Sequence, residues 1–483
     1  MTKFEEVLEL SKRRGFFWPS FSIYGGISGF MDYGPLGSML KDNVIRIWKE
    51  TYMKLGAVQI DTPNITPEPV FRASGHIERF SDIAARCSKC GYKSKLESLL
   101  SEGTALPKNI EEARKIVSDI NISCPVCGSR ITDVYDFNLM FRLNSGDITN
   151  LYLRPETAQG IFVNFKLLLN QNRGKIPMIT SQLGKGFRNE ISPRQGLIRM
   201  REIFMGEIEA FLDPDNRNFQ VTDDGTLISF LPNTLKPYKM TISEALENSM
   251  IENDHAFFLI QTYNILRLCG IKPDSIRFRQ HRKDELSHYS SDCWDAEINM
   301  DGEWIETVGI ADRGVYDLSR HQEFSGEKMT VKLGDREFIP KVIEPAYGID
   351  RISFFIIYDS YYKRDNGFKV LKLSPNIAPY HAAFFPLQNR DGVDELARSI
   401  YEKVRNIDPY VVYDDAGSIG KRYARQDEIG TPYCIVFDYQ SKEDRTVTIR
   451  ERDSTKQIRI KYSDLLKPDL FRNGNPFPLF YQP

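Results

Sequence analysis

FRNEISPRQGLIRMREIFMGEIEAFL, residues 187–212, decides how this chain folds. One strand closes on Phe187, a loop rich in turn formers follows (ISPRQG, 191–196), and the chain returns as an alternating strand through Leu212. A strand points successive side chains to opposite faces, so Ile203, Met205, Glu207 and Glu209 share one face. Carboxylates on a face that should be core are costly when unpaired, so these two must look into a polar cavity or at a cationic partner. The same hairpin carries Arg188, Glu190, Arg194, Arg199 and Arg201. Guanidinium forks suit phosphate oxygens, and a carboxylate accepts from the exocyclic amino group of adenine. The residues leave two readings open: a cleft for ATP with a metal-bridged triphosphate, or a salt-bridged surface hairpin.

Working outward, EPAYGIDR (344–351) runs directly into the apolar helix RISFFIIYDSYY. Gly348 at this strand-to-helix junction permits close backbone approach, and Arg351 near the helix start can reach a phosphate. Upstream, Val44, Ile45, Ile47, Trp48 and Tyr52 recur at helical spacing between Asp42 and Leu55, and GAVQIDTPNITP gives a strand ending near Pro63. Periodicity alone describes these as a buried helix–strand pair. A polar stretch at about 213–253 reads as an insertion; a helix (about His255 to Cys269) and the strands SIRFRQHR, DAEINM and WIETVGIA follow. Composition turns loop-like from Asp365 to Ser374, which places a domain boundary near residue 370. Beyond it, AAFFPL, DGVDELARSIYEKVRNI, YVVYDD, SIGKRYARQDEIG, YCIVFD and the hairpin TVTIRERDSTKQIRI alternate strand and helix. That alternation predicts a small α/β domain with a mixed sheet over 371–483.

A second insertion, at about 84–135, holds Cys87-Ser-Lys-Cys90-Gly and Cys124-Pro-Val-Cys127-Gly. Each pair forms a knuckle whose following Gly allows a tight turn, and four thiolates would make a closed, structural Zn2+ site, with free thiols as the other reading. Cys269, Cys293 and Cys434 lie in apolar contexts and read as buried thiols. The 483 residues are 41% hydrophobic and 27% charged, an ordinary globular balance. A net charge of −2 neither supports nor excludes a nucleic-acid partner, since a local basic face suffices for one. The N-terminus is polar, and no run approaches the roughly 20 apolar residues that cross a bilayer. A cytoplasmic protein without a membrane partner is expected.

FRNEISPRQGLIRMRE resembles motif 2 of the class II aminoacyl-tRNA synthetases, EPAYGIDR resembles motif 3, and the helix from Asp42 to Leu55 with its strand resembles motif 1, the dimer element. RPETAQGIF (154–162), ASGHIERFSD, SHYSSDCWDAE and WIETVGIADRGVYDL are similar to the glycyl enzymes of archaeal and eukaryotic type, and SIGKRYARQDEIGTPYCIVFD to their anticodon-binding domain. The resemblance covers nearly the whole chain. It implies an α+β catalytic domain on an antiparallel sheet over 1–370, interrupted by the zinc-ribbon-like insertion, then the anticodon-binding domain. It also implies a homodimer that uses ATP, Mg2+, glycine and tRNA(Gly) to make glycyl-tRNA.

By the same resemblance, Arg188 grips the α-phosphate, Glu190 contacts adenine, and Arg351 holds the γ-phosphate end of ATP. Asn189, Ile198, Arg199, Met200, Arg201, Glu202 and Ile203 complete the nucleotide site, with Glu306 and Thr307 acting through magnesium. Glu156, Glu207 and Glu344 surround the glycine ammonium beside Pro345 and Ala346, and Arg313 pairs with the carboxylate. Lys421, Arg422 and Arg425 read the anticodon; charge pattern alone describes a solvated helix face. Two positions depart from the family. Where it usually has a Phe stacked on adenine stands Ile203, so that either Ile203 packs on the base or a bulge brings Phe204 in. Where it usually has Ser stands Ala346.

Overall fold

The computed structural model describes residues 1–471 apart from 102–103, 108, 147, 194–195, 235 and 469, so Arg194 lies outside the described residues. The decisive hairpin sits inside a nine-stranded sheet. Its strands are β1 (Val58–Ile60), β2 (Met178–Phe187), β3 (Glu202–Leu212), β4 (Ile228–Leu231), β5 (Tyr238–Met240), β6 (Ile276–Gln280), β7 (Asp292–Met300), β8 (Glu303–Gly314) and β9 (Lys341–Gly348). They lie in the order β5-β4-β6-β7-β8-β9-β3-β2-β1. From β6 to β2 every pairing is antiparallel; β1 and β4 join in parallel. The polar segment 213–253 thus supplies two strands, β4 and β5, to one edge of the main sheet.

Three helices cover one face: α1 (Pro35–Lys54), α2 (Asn253–Leu268) and α3 (Ile349–Ser360). Their apolar positions recur at helical spacing, and every residue of α3 except Arg351 is buried. Each large apolar side chain so buried, such as Phe354 or Phe355, contributes roughly 1.5–3 kcal/mol. Three elements meet at Tyr347, whose hydroxyl bonds Tyr52 at 2.8 Å and Thr262 at 2.7 Å. This packing leaves the opposite face, with Glu207, Glu209, Glu344 and Arg313, for chemistry.

The cysteine insertion is a module with its own three-stranded sheet (Ser81–Arg86, Lys93–Lys95, Asp133–Asn138) and its own small core, into which Cys87 and Cys124 are packed. Beyond the hairpin Tyr361–Lys363/Lys369–Leu371 comes a second five-stranded sheet. Its strands β10 (Ala382–Pro386), β11 (Val411–Tyr413), β12 (Tyr433–Phe437), β13 (Thr446–Glu451) and β14 (Gln457–Lys461) run in the order β11-β10-β12-β13-β14. Its first pairings are parallel and its last antiparallel, the mixed sheet that the alternation predicts. Helices α4 (Val393–Arg405) and α5 (Ile419–Ile429) flank it. Among the described residues no helix is long and apolar enough to cross a membrane.

Candidate active site

Three segments build the acidic end of the site. Gly184 and Gly186 of β2 carry no side chain, which lets the segment Arg154–Pro155–Glu156 lie across the sheet; a Cβ on Gly186 would stand 2.8 Å from the Pro155 carbonyl. Glu207 on β3 then accepts hydrogen bonds from the Thr157 amide at 2.6 Å and its hydroxyl at 2.5 Å. Glu344 on β9 binds Arg313, and Glu156 accepts from Gln159 Nε2 at 3.0 Å with His76 Nε2 at 3.4 Å. Glu156, Glu207 and Glu344 are each no more than 6% exposed. Glu344 and Glu156 meet at Arg313, whose guanidinium reaches Glu156 at 3.8 Å, and the Glu156 charge acts on Glu207.

Burial raises the Glu207 carboxyl, and the Glu156 charge raises it further. Burial would raise Glu156 too, but His76, Arg313 and Gln159 hold it well below the usual carboxylate range. Glu344 is pushed up to about 8 by burial, with Arg313 opposing and Glu207 and Glu156 adding to the rise. The result is a tightly coupled cluster of carboxyls in the core.

Arg313 departs from its expected role of meeting a substrate carboxylate. It is 1% exposed and its donors are taken: Asp317 holds it at 2.7 and 2.9 Å, and Glu344 binds it on the other side. The Tyr289 ring covers it at 3.8 Å. The guanidinium is the hub that orders the acids.

A cleft opens along the same face, lined by Arg188, Glu190, Ile198, Arg199, Met200, Ile203, Glu306, Thr307, Ala346 and Arg351. Ala346 stands across from Glu207 in the sheet, so cleft and acidic cluster adjoin; Pro345 alternates to the other side. Arg188 is oriented by the Pro155 carbonyl at 3.2 Å, with the Phe80 ring 5.6 Å from its guanidinium. Arg351 donates to the Glu306 carbonyl at 2.7 Å and the Ile198 carbonyl at 3.0 Å, and lies 3.4 Å from the Glu306 carboxylate. The crowded cleft would raise the Glu306 carboxyl, but Arg351 and Arg188 draw it down.

Three expected nucleotide contacts lie elsewhere. Arg201 braces the hairpin, donating to the Ser28 carbonyl at 2.7 Å and the Glu190 carbonyl at 3.0 Å. Glu202 pairs with Lys185 on the face away from the cleft. The Asn189 amide is spent on the Leu139 carbonyl at 2.8 Å, and its side chain is not among the lining residues. Ile203 does face the cleft. The β2–β3 register runs without a bulge from Met178 to Phe187, so Phe204 stays on the helix face with Lys41 over its ring at 4.9 Å.

One residue that the sequence reading passed over is Asp295. Its carboxylate and that of Glu306 flank Gly309 at 3.8 and 3.7 Å from the position of a Cβ there, which brings two oxygen donors to the Glu306 end of the cleft. Burial and the Glu306 charge raise Asp295 to about 6, against His281 at 2.7 Å. Hard oxygen donors of this kind suit Mg2+.

In the cysteine module, Cys87 and Cys127 Sγ lie 3.5 Å apart, Cys90 and Cys124 Sγ 3.6 Å, and all four sulfurs fall within 4.8 Å of one another. A tetrahedral ion with bonds of about 2.3 Å spaces its sulfurs at about 3.8 Å, so the donor set fits Zn2+. Gly91 and Gly128 have φ of 72° and 70°, the left-handed turns that close each knuckle.

The anticodon binding domain family matches residues 381–468. The glycine–tRNA ligase of Methanothrix thermoacetophila is 38% identical, with 95% of each chain covered. Those of Methanocaldococcus jannaschii and Pyrococcus furiosus are 36% and 37% identical, each with 96% of this chain and 98% of the relative covered. This chain belongs to the glycine–tRNA ligase family. A prolyl-tRNA synthetase of Giardia lamblia, solved with prolyl-adenylate, shares the fold with a TM-score of 0.63 at 15% identity, covering 96% of this chain and 76% of that one.

For a member of the glycine–tRNA ligase family, α5 was expected to offer three basic residues to an anticodon. Arg422 does not fit that role: it is 4% exposed and bonds the carbonyls of Pro386, Asp415 and Gly417. Arg425 is clamped by Asp414 at 2.7 and 2.9 Å. Lys421 alone of the three is exposed.

Proposed function

We propose that this chain activates glycine with ATP and transfers the glycyl group to the 3′ end of tRNA(Gly). The observation that carries the reading is the adjacency of a buried cluster of carboxyls, Glu156, Glu207 and Glu344, to an arginine-lined cleft on one sheet face. In the first step a glycine carboxylate oxygen attacks the α-phosphorus in line, the bond to the β-phosphate breaks, and pyrophosphate leaves. The side chains act by positioning and by cationic stabilisation. Arg188 stands where the α-phosphate meets the acidic cluster, and Arg351 stands at the far end beside Glu306. Glu306 and Asp295 would hold Mg2+, which supplies charge neutralisation to the phosphates. Glu156, Glu207 and Glu344 would take the ammonium, and side chains crowded around it would exclude a methyl group. Nothing smaller than glycine exists, so this exclusion suffices without editing. The tRNA hydroxyl then attacks the activated carbonyl and AMP departs.

The same reading places a catalytic unit at 1–370, an anticodon-binding unit at 371–483, Zn2+ on Cys87, Cys90, Cys124 and Cys127, and the protein in the cytoplasm as a homodimer. Lys421 is the one basic residue of its helix that is free to approach RNA. ATP–pyrophosphate exchange with glycine, alanine, serine and proline tests the reading: exchange should depend on glycine. Arg188→Ala should lower the exchange rate about 10²–10³-fold with the fold intact. Exchange driven better by another amino acid, or an Arg188→Ala variant of full activity, rejects the assignment.

A further inference from the structure

Glu209 is the acid that the reading above does not use. It is 0% exposed, and neither carboxylate oxygen has a hydrogen-bond partner. Thr180, directly across the β2–β3 pairing, is also 0% exposed with an unpartnered hydroxyl. On the other side β9 brings Glu344 alongside, since the register pairs Glu207 with Ala346 and Ala210 with Ile343. A buried carboxylate without a donor is a costly state, whereas a carboxylic acid in the same place can donate its own O–H.

The surrounding charges sharpen the point. β3 presents Glu207 and Glu209, β9 presents Glu344, the Arg154–Thr157 segment presents Glu156, and the helix Tyr316–Ser325 presents Asp317 and His321. Against these carboxyls stands the Arg313 guanidinium of β8. His76 touches Glu156, while Arg154 and Arg188 act on Glu207. Each acid except Glu209 has a bonded donor: Glu156 has Gln159, Glu207 has Thr157, and Asp317 and Glu344 have Arg313.

We infer that the resting protein carries one proton on Glu209, shared across the sheet with Glu344, and that the ammonium of glycine displaces it on binding. This deepens the proposed function and rests on it. Glycine enters as a zwitterion and stays one. Its ammonium supplies the positive charge that the proton had supplied, so the Glu209 O–H bond breaks and the proton passes to buffer. Burial first, then the Glu344 charge, holds the Glu209 carboxyl well above its ordinary range, which agrees with a proton held at neutral pH. Glu344, bonded to Arg313, is the less suitable holder.

Calorimetric titration of the whole protein with glycine, in buffers of different ionisation enthalpy near neutral pH, measures the protons released. The wild type should release about one proton per glycine, and its affinity should rise up to about tenfold per pH unit below the range where the free protein loses that proton. Glu209→Gln, a neutral isostere, should bind glycine with no release and a flat pH profile. Release of no proton by the wild type overturns the inference, even if the variant fails to fold. Unchanged release in Glu209→Gln also overturns it, making Glu344 the source. Absence of glycine binding to the wild type rejects the proposed function itself, a separate outcome.

Discussion

A single guanidinium organises the centre of this molecule. Arg313 is fully enclosed and bonded to Asp317 and Glu344, with Glu156 behind them. Removing one partner of such a network leaves the rest as uncompensated buried charges. Arg313→Ala should therefore destabilise the fold by about 3–5 kcal/mol, read as a lower urea midpoint at neutral pH, and should abolish glycine-dependent exchange. A variant that kept both its midpoint and its exchange would remove Arg313 from the centre. The sequence alone exposed part of this cluster. Alternation put Glu207 and Glu209 on one face, and that face does lead into the buried polar network. Alternation along one strand is silent about what other elements bring, so Asp317, Asp295, Tyr289 and His76 went unassigned. The i, i+4 spacing of Arg313 and Asp317 was the one local signal of their pairing. Arg201 and Arg422 were misread for a related reason. Charge identity marks an arginine as able to bind phosphate or base, but its partners here are backbone carbonyls, which no composition reveals.

At the scale of elements the sequence was most informative where a period ran long. The helix around Trp48, the β3 strand and the alternating C-terminal unit all follow from repeats of roughly 3.6 and 2 residues. Edges were harder: β4 and β5 come from a polar stretch whose pairing with the main sheet leaves little trace in local pattern. Two elements invite direct tests. The cysteine module has a small core, so its four thiols should depend on a bound ion for stability. The purified protein should hold one Zn2+ per chain by elemental analysis, and Cys124→Ser should lose it and become protease-sensitive between residues 81 and 138. An intact module without metal would argue for simple buried thiols. In α5, Arg422 ties three carbonyls and Lys421 none that the structure records. Arg422→Ala should lower stability by about 1–3 kcal/mol because buried acceptors lose their donor. Lys421→Ala should leave the melting temperature alone and raise the KM for tRNA. The reverse pattern would return Arg422 to the RNA-facing role.

Across the whole molecule, the N-terminal part and the C-terminal unit are fastened by ion pairs at the C-terminal end of α5. Arg13 and Arg14 of the helix Lys3–Arg14 reach Glu428, and Arg364 reaches Asp427 at 3.0 Å. The sheet ends on the other side in β1, a short edge strand with Val58 44% exposed and Met53 at the end of α1 69% exposed. An open edge with apolar side chains is a template for another chain, and proteins that leave one uncovered tend to charge it or break it with proline. Here neither Gln59 nor Ile60 supplies a charge, which favours burial of this edge against a second copy about a two-fold axis. Sedimentation of the wild type should give twice the chain mass. Val58→Asp, at a position 44% exposed within its own chain, should shift the protein toward monomer at low concentration with little change in its melting temperature per chain. A Val58→Asp protein that stays dimeric would move the interface elsewhere on the molecule. If it turns monomeric and loses pyrophosphate exchange as well, the edge strand does more than hold two copies together: β1 pairs with β2, the strand that leads into Arg188, so the partner would be steadying the cleft through the sheet itself.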